Sequence, residues 1–205
     1  MVSRIGGLCA VFLFLVFARP AAAAAEVKPI DAIRGPVEEV LAILKDPAYK
    51  GPGTKTAQKD RLWEIIRRVF DFEAISERAV GRNWKAFSAE QKKVFSDAFA
   101  ELLGNSYLDK IQGGFKNEKV DFLSQELLTD TKARVKTKIV REVDAIPVDY
   151  SVQKENGSWT IYDVNIEGVS LVQNYRTQFD QILAKESPDA LIARVKSKNT
   201  AREKK

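Results

Sequence analysis

The sequence predicts an α+β domain in which helices pack on one curved antiparallel sheet. Three observations predict it. From residue 37 to about 110, apolar residues recur at the 3–4 spacing of helices. From about 130 to 166 they alternate at period two around an Asn156–Gly157 turn, and from 168 onward helical spacing returns. There is no internal repeat and no linker that would divide the chain, so residues 26–196 read as a single domain.

The elements follow in order. Residues 26–36, with Pro29, Gly35 and Pro36, read as a non-helical leader, and Val37 to Lys45 as a short helix carrying Val37, Val40, Leu41 and Leu44 on one side. The stretch Asp46 to Gly53 is a loop by its Pro and Gly content. Thr56 to Phe70 is a stronger helix, with Leu62, Trp63, Ile66, Val69 and Phe70 on its apolar side. Asp71 is placed to cap the next helix and Gly81 to stop it. Ser88-Ala-Glu-Gln91 is a capping box opening a helix whose wide stripe is Phe95, Phe99, Leu102, Leu103 and Tyr107, ended by Gly113–Gly114. Val120–Leu128 is a strand. Ala133, Val135, Thr137 and Ile139 alternate with Lys132, Arg134, Lys136 and Lys138, as a half-exposed strand requires. Ile146, Val148, Tyr150 and Val152 alternate likewise, and residues 159–166 return as the hairpin partner. Gly168 restarts helix with Leu171, Val172, Tyr175, Phe179, Ile182 and Leu183, and Pro188 opens a last short helix with Leu191, Ile192 and Val195.

The first 25 residues read as a cleaved secretory signal: Arg4, then an uncharged run of 13 residues from Ile5 to Phe17, then alanines 21–25. The run is shorter than the roughly 18 residues that cross a bilayer, which weighs against the alternative of a retained anchor. Cys9, the single cysteine, lies inside that run and follows Leu8, where a lipoprotein signal calls for Gly or Ala. The exported chain therefore has no thiol for a disulfide, a nucleophile or a metal. The sequence has no histidine either, which removes the commonest general base and most zinc sites. No metal or cofactor is expected. Losing Arg4 and Arg19 with the leader takes the net charge from +5 to +3. Residues 197–205 read as a basic, disordered tail, in a terminal stretch from Lys196 that holds five cations and one anion; it is either solvated or in contact with an acidic surface. Nucleic acid is not expected as a partner of an exported chain.

No charged cluster stands at catalytic spacing. Asp163, between Tyr162 and Val164, is a candidate general base or a hydrogen-bonded structural carboxylate. The distinctive signal is aromatic: Trp63, Phe70, Phe72, Trp84, Phe87, Phe95, Phe99 and Tyr107 fall within 45 residues. Trp159, Tyr162, Tyr175 and Phe179 answer them from the later elements. Such a set builds a core or lines a cavity between helices and sheet.

Two stretches, residues 70–99 and NGSWTIYDVNIEGVSLVQNYRTQF from Asn156 to Phe179, resemble the MlaC, or toluene-tolerance, family. The resemblance covers roughly residues 56–110 and 130–196. It implies a fold related to the cone-shaped nuclear-transport-factor type, with a hydrophobic cavity for phospholipid tails. It further implies a periplasmic carrier, not an enzyme, that moves lipid between an inner-membrane ABC transporter, through its MCE-domain protein, and an outer-membrane lipoprotein–porin complex. The FDFEAIS wording of residues 70–76 is at least as close to a hopanoid-associated branch, so the ligand implied is phospholipid or hopanoid. A monomer is expected.

Face arithmetic then assigns candidate lipid contacts. Phe95, Phe99, Leu102 and Leu103 share a helix face; Val135, Ile139, Val148 and Tyr150 lie on the inward faces of two strands; Tyr162, Val164 and Ile166 share a face of a third, with Val169, Val172 and Tyr175 beside it. Two rival readings remain: an isomerase or hydratase using Asp163 or Tyr162 in the same cavity, and a ligand-free adaptor with a filled core.

Overall fold

The computed structural model describes residues 27–203; the expected signal segment lies outside them. Six helices pack on one open, five-stranded antiparallel sheet. The helices are α1 (Pro29–Lys45), α2 (Lys55–Val69), α3 (Phe72–Val80), α4 (Ala89–Gly114), α5 (Leu171–Leu183) and α6 (Pro188–Glu203). The strands β1 (Lys119–Thr129), β2 (Lys132–Val140), β3 (Ala145–Glu155), β4 (Ser158–Ile166) and β5 (Val169–Ser170) run in sequence order across the sheet.

Helix α1 begins eight residues before the expected start, at Pro29. Proline suits the first helical position, where its missing N–H is no loss. The residue before it, Lys28, offers no side-chain cap, and the first turn is served from the sheet instead: the Ile30 amide donates to Gln125 Oε1 of β1 at 2.9 Å. Pro36 sits inside the helix and forgoes one ladder bond.

The expected caps form. Asp71 Oδ1 accepts from the Ala74 amide at 2.8 Å, and Ser88 and Gln91 bond each other's backbone reciprocally. Asn156 and Gly157 both take positive φ, 49° and 84°, as the tight β3–β4 hairpin requires. Gly168 does not restart helix directly. With Glu167 it makes a second turn of positive φ, 52° and 86°, which pairs the short β5 to β4 before α5 starts at Leu171.

The C-terminal tail is a further correction. Helix α6 runs on to Glu203, because Asn199, buried, donates to the Ala98 carbonyl at 2.9 Å and to Glu101 at 3.3 Å. Helix α4 is surrounded rather than amphipathic: Ala98, Phe99, Ala100, Leu102, Leu103 and Gly104 are all buried, so α3, α5 and α6 cover one side and α2 another.

Candidate functional site

Helices α1 and α2 cross the inner face of the sheet without filling the space beneath them. A cavity of about 400 Å³ remains between them, the sheet and the end of α4, within the usual range for a small-molecule site. Helix α1 contributes Ile33, Pro36, Val37, Val40, Leu41 and Leu44, a stripe that runs roughly 16 Å at 1.5 Å per residue. Helix α2 adds Ile65, Ile66 and Val69, and the sheet adds Val120, Ile139, Ile146, Val148, Tyr150, Ile161 and Ile166.

Exposure gives the cavity a direction. Ile33 and Ile161 are buried at one end, over a floor of Ala133, Val135, Val152 and Trp159. At the other end the lining residues Lys110, Ile111, Gly114 and Arg141 are exposed. The mouth therefore lies where the last turn of α4 faces the β2–β3 turn. Of the 24 lining residues only Lys110, Glu118 and Arg141 carry an ionised group. Tyr107 and Tyr150 bring hydroxyls. Burial pushes the Tyr150 phenol up to about 12, because its charged form has lost water. A second depression, of about 480 Å³ between α2, α3 and α4, has a different chemistry, with Arg67, Glu73, Lys92, Lys93 and Asp97 in its wall.

Of the fourteen residues assigned from sequence, Ile139, Val148, Tyr150 and Ile166 line the cavity. The others sit elsewhere. Phe95, Phe99, Leu102, Leu103, Val172 and Tyr175 belong to the helical core, where Phe99 meets Tyr175 at 4.9 Å and Phe179 at 5.2 Å between ring centres. Helix α6 and the α3 side close over this stripe, so it faces other helices and not the sheet. Val135 is part of the cavity floor, and Val164 packs against the same cluster. Val169, on the two-residue β5, is 60 % exposed.

Tyr162 is misplaced by a β-bulge. Ser151 pairs with Asp163, but Val152 pairs with Ile161, which leaves Tyr162 as the extra residue. The inward residues of β4 are thus Trp159 and Ile161 before the bulge and Val164 and Ile166 after it. Tyr162 instead stacks under the Arg78 guanidinium, 4.1 Å from its ring centre. Asp163 is a structural carboxylate. Its Oδ1 accepts from the Val172 amide at 3.0 Å and its Oδ2 from the Ser170 hydroxyl at 2.6 Å, which holds the start of α5 against β4. Neither residue borders the cavity.

The cavity walls that the aromatic stripe concealed are α1 and α2. Their sequence signal is the 3–4 spacing of Val37, Val40, Leu41 and Leu44 and of Ile66, Val69 and Phe70, which is weaker than the aromatic stripe of α4.

This topology is found in known proteins. Residues 35–197 match the family described as MlaC protein. The chain belongs to the MlaC family. It is 24 % identical over 158 residues to the intermembrane phospholipid transport system binding protein MlaC of Haemophilus influenzae, covering 75 % of this chain and 70 % of that one. It is also 24 % identical over 183 residues to the toluene tolerance protein ttg2D of Pseudomonas putida, with 86 % and 83 % covered. Among solved structures, the phospholipid-binding protein of Ralstonia solanacearum, determined in complex with a phospholipid, superposes with a TM-score of 0.78 at 25 % identity, covering 86 % of this chain and 99 % of that one.

The sequence core that carries the MlaC resemblance proves to be a latch. Besides Asp163 and Ser170, Arg176 donates from Nε to the Arg78 carbonyl at 2.7 Å and from its second guanidinium nitrogen to the same oxygen. That oxygen is near the C-terminus of α3, where carbonyls lack helical partners and a cation is favoured. The motif ties β4, α5 and α3 together and gives the cavity wall only Ile161 and Ile166, with Phe70 from the first stretch; the rest of the wall lies outside it.

Proposed function

We propose that this protein is a periplasmic carrier that binds phospholipid by its acyl chains and shuttles it between an inner-membrane ABC transporter, through its MCE-domain protein, and an outer-membrane lipoprotein–porin complex. The observation that carries the reading is the apolar cavity, closed at one end and open at the other, on the fold of a family whose relatives are described as phospholipid binders. Each methylene taken out of water is worth about 0.8 kcal/mol, so a sixteen-carbon chain represents roughly 12 kcal/mol. Lipid crosses an aqueous gap at a useful rate only if a protein covers that surface. The cavity supplies the cover, and its mouth leaves the head group in water.

A ligand-free adaptor would have no use for such a space, and an enzyme acting through Asp163 or Tyr162 would need them to face it, which they do not. No helix among the described residues is long and apolar enough to cross a membrane.

The test is native mass spectrometry of protein isolated from the periplasm, with organic extraction of the bound material. Phospholipid at a defined stoichiometry is expected. Protein that arrives empty and takes no lipid from vesicles would remove the carrier reading, and recovery of hopanoid instead would change the ligand.

A further inference from the structure

The mouth of the cavity is not neutral. Lys110 approaches it from the last turns of α4 and Arg141 from the turn between β2 and β3, so the two cations flank the opening from different elements. The Lys110 ammonium lies 5.7 Å from the Tyr107 ring centre. Arg141 uses its backbone amide on the Asp144 carbonyl, 2.9 Å, and neither side chain has a carboxylate partner among the described residues. Two of the nearby acids are engaged. Asp109 pairs with Lys59 at 3.0 Å, and Glu118, the single carboxylate in the lining, accepts from the Lys116 amide at 2.5 Å. Glu142 and Asp144 share the β2–β3 turn with Arg141, exposed and outside the lining.

Two unpaired cations at the open end of an otherwise apolar cavity match an amphiphile with an anionic head. A guanidinium presents parallel N–H donors to phosphate oxygens, and an ammonium adds a point charge. We propose that Lys110 and Arg141 seat the phosphate of the head group, and that this seat makes the protein load lipids of net negative head group in preference to zwitterionic ones. The inference rests on the phospholipid-carrier reading and adds to it a class of ligand. A zwitterionic head brings its own ammonium towards the same two cations, whereas an anionic head does not.

The experiment incubates the lipid-free protein with vesicles of equimolar phosphatidylglycerol and phosphatidylethanolamine and measures the bound lipids. The expected enrichment of phosphatidylglycerol is roughly fivefold at low salt, the product of two partly screened contacts, and it shrinks at about 0.5 M salt. Lys110→Gln with Arg141→Gln is expected to bring the ratio near unity, with total lipid per protein lowered, mainly through phosphatidylglycerol, but not abolished. Lys132→Gln with Arg134→Gln, an equal charge change on the outer face of β2, is expected to leave the enrichment intact. No enrichment in the unaltered protein, enrichment kept in the mouth variant, total uptake lost in a folded mouth variant, or enrichment lost in the outer-face variant would each overturn the proposal. Failure of the unaltered protein to take up either lipid would overturn the carrier reading itself. Inorganic phosphate titrated into lipid-free protein separates the two phosphate sources: binding that disappears with Arg141→Gln would make the site one for free phosphate and overturn the head-group assignment.

Discussion

The ring of Trp63 on α2 lies so close over Gly104 on α4 that a Cβ at that glycine would stand 2.9 Å from Cζ3 and 3.0 Å from Cη2. The absence of a side chain at 104 is what lets α2 settle against α4, and these two helices form adjoining walls of the cavity. Trp63 is held on its other side by Phe72, 5.5 Å between ring centres, and by Arg67 over its face at 5.0 Å.

Gly104→Ala sets two effects against each other. Alanine favours the helix by about 1 kcal/mol, but the overpacking against a rigid indole costs about 1–3 kcal/mol. Steric cost is expected to win, for a net loss on the order of 1 kcal/mol and a melting temperature lower by about 2–4 °C. Thermal denaturation followed by circular dichroism checks this. A variant as stable as the parent would show that Trp63 moves freely and that the α2–α4 wall is soft.

Asp163→Ala removes both acceptors that hold the start of α5, leaving the Val172 amide and the Ser170 hydroxyl without the carboxylate. The expected cost is about 1.5–3 kcal/mol, read by urea denaturation. Lipid recovered per folded molecule is expected to be unchanged, since Asp163 is outside the cavity wall. Loss of lipid from a variant that keeps its fold would place Asp163 in function and not in the latch.

These two cases show which features a sequence makes legible. Layer order, strand alternation, the Asp71 and Ser88 caps and the Asn156–Gly157 turn are local, so residue spacing announces them. The start of α1 is not local: the amide of Ile30 is satisfied by Gln125, 95 residues away, and no rule of spacing predicts it. The bulge at Tyr162 is likewise set by the pairing of β3 with β4, and a single extra residue reverses which side chains face inward. Core and cavity wall differ only in what stands opposite them. Phe99 faces Tyr175 and Phe179, whereas Val148 faces empty space, and both read as apolar positions in a stripe.

Tyr150 gives the fold a dependence on alkaline pH. Its phenol ionises near 10 in the unfolded chain and is pushed up to about 12 in the folded one by burial. Below pH 10 it is neutral in both states and contributes fully. Between pH 10 and about 12 the unfolded chain binds fewer protons than the folded one, so stability falls as pH rises. Tyr150→Phe is expected to remove this component, so that the gap in stability between parent and variant changes across that window and is flat below it. In an ultraviolet titration the parent is expected to show a late phenolate step that the variant lacks. A titration in which all the tyrosines ionise together near 10 would place Tyr150 in water.

Filling the cavity and weakening the core are expected to have opposite effects on lipid and on stability. Val148 lies on the inward face of β3 with space before it, so Val148→Trp puts an indole into the cavity. Stability is expected to change little, because the added atoms occupy a void, while lipid recovered per protein falls severalfold. Leu103, 6 % exposed in the helical core, is the counterpart. Leu103→Ala removes packed methyl groups and is expected to cost about 2–5 kcal/mol, with lipid stoichiometry unchanged in the molecules that remain folded at low temperature. Mass spectrometry of bound lipid, set beside denaturation midpoints for the same samples, reads both quantities. Full lipid content in folded Val148→Trp, or empty but folded Leu103→Ala, would move the binding site from beneath α1 and α2 to the face of α4.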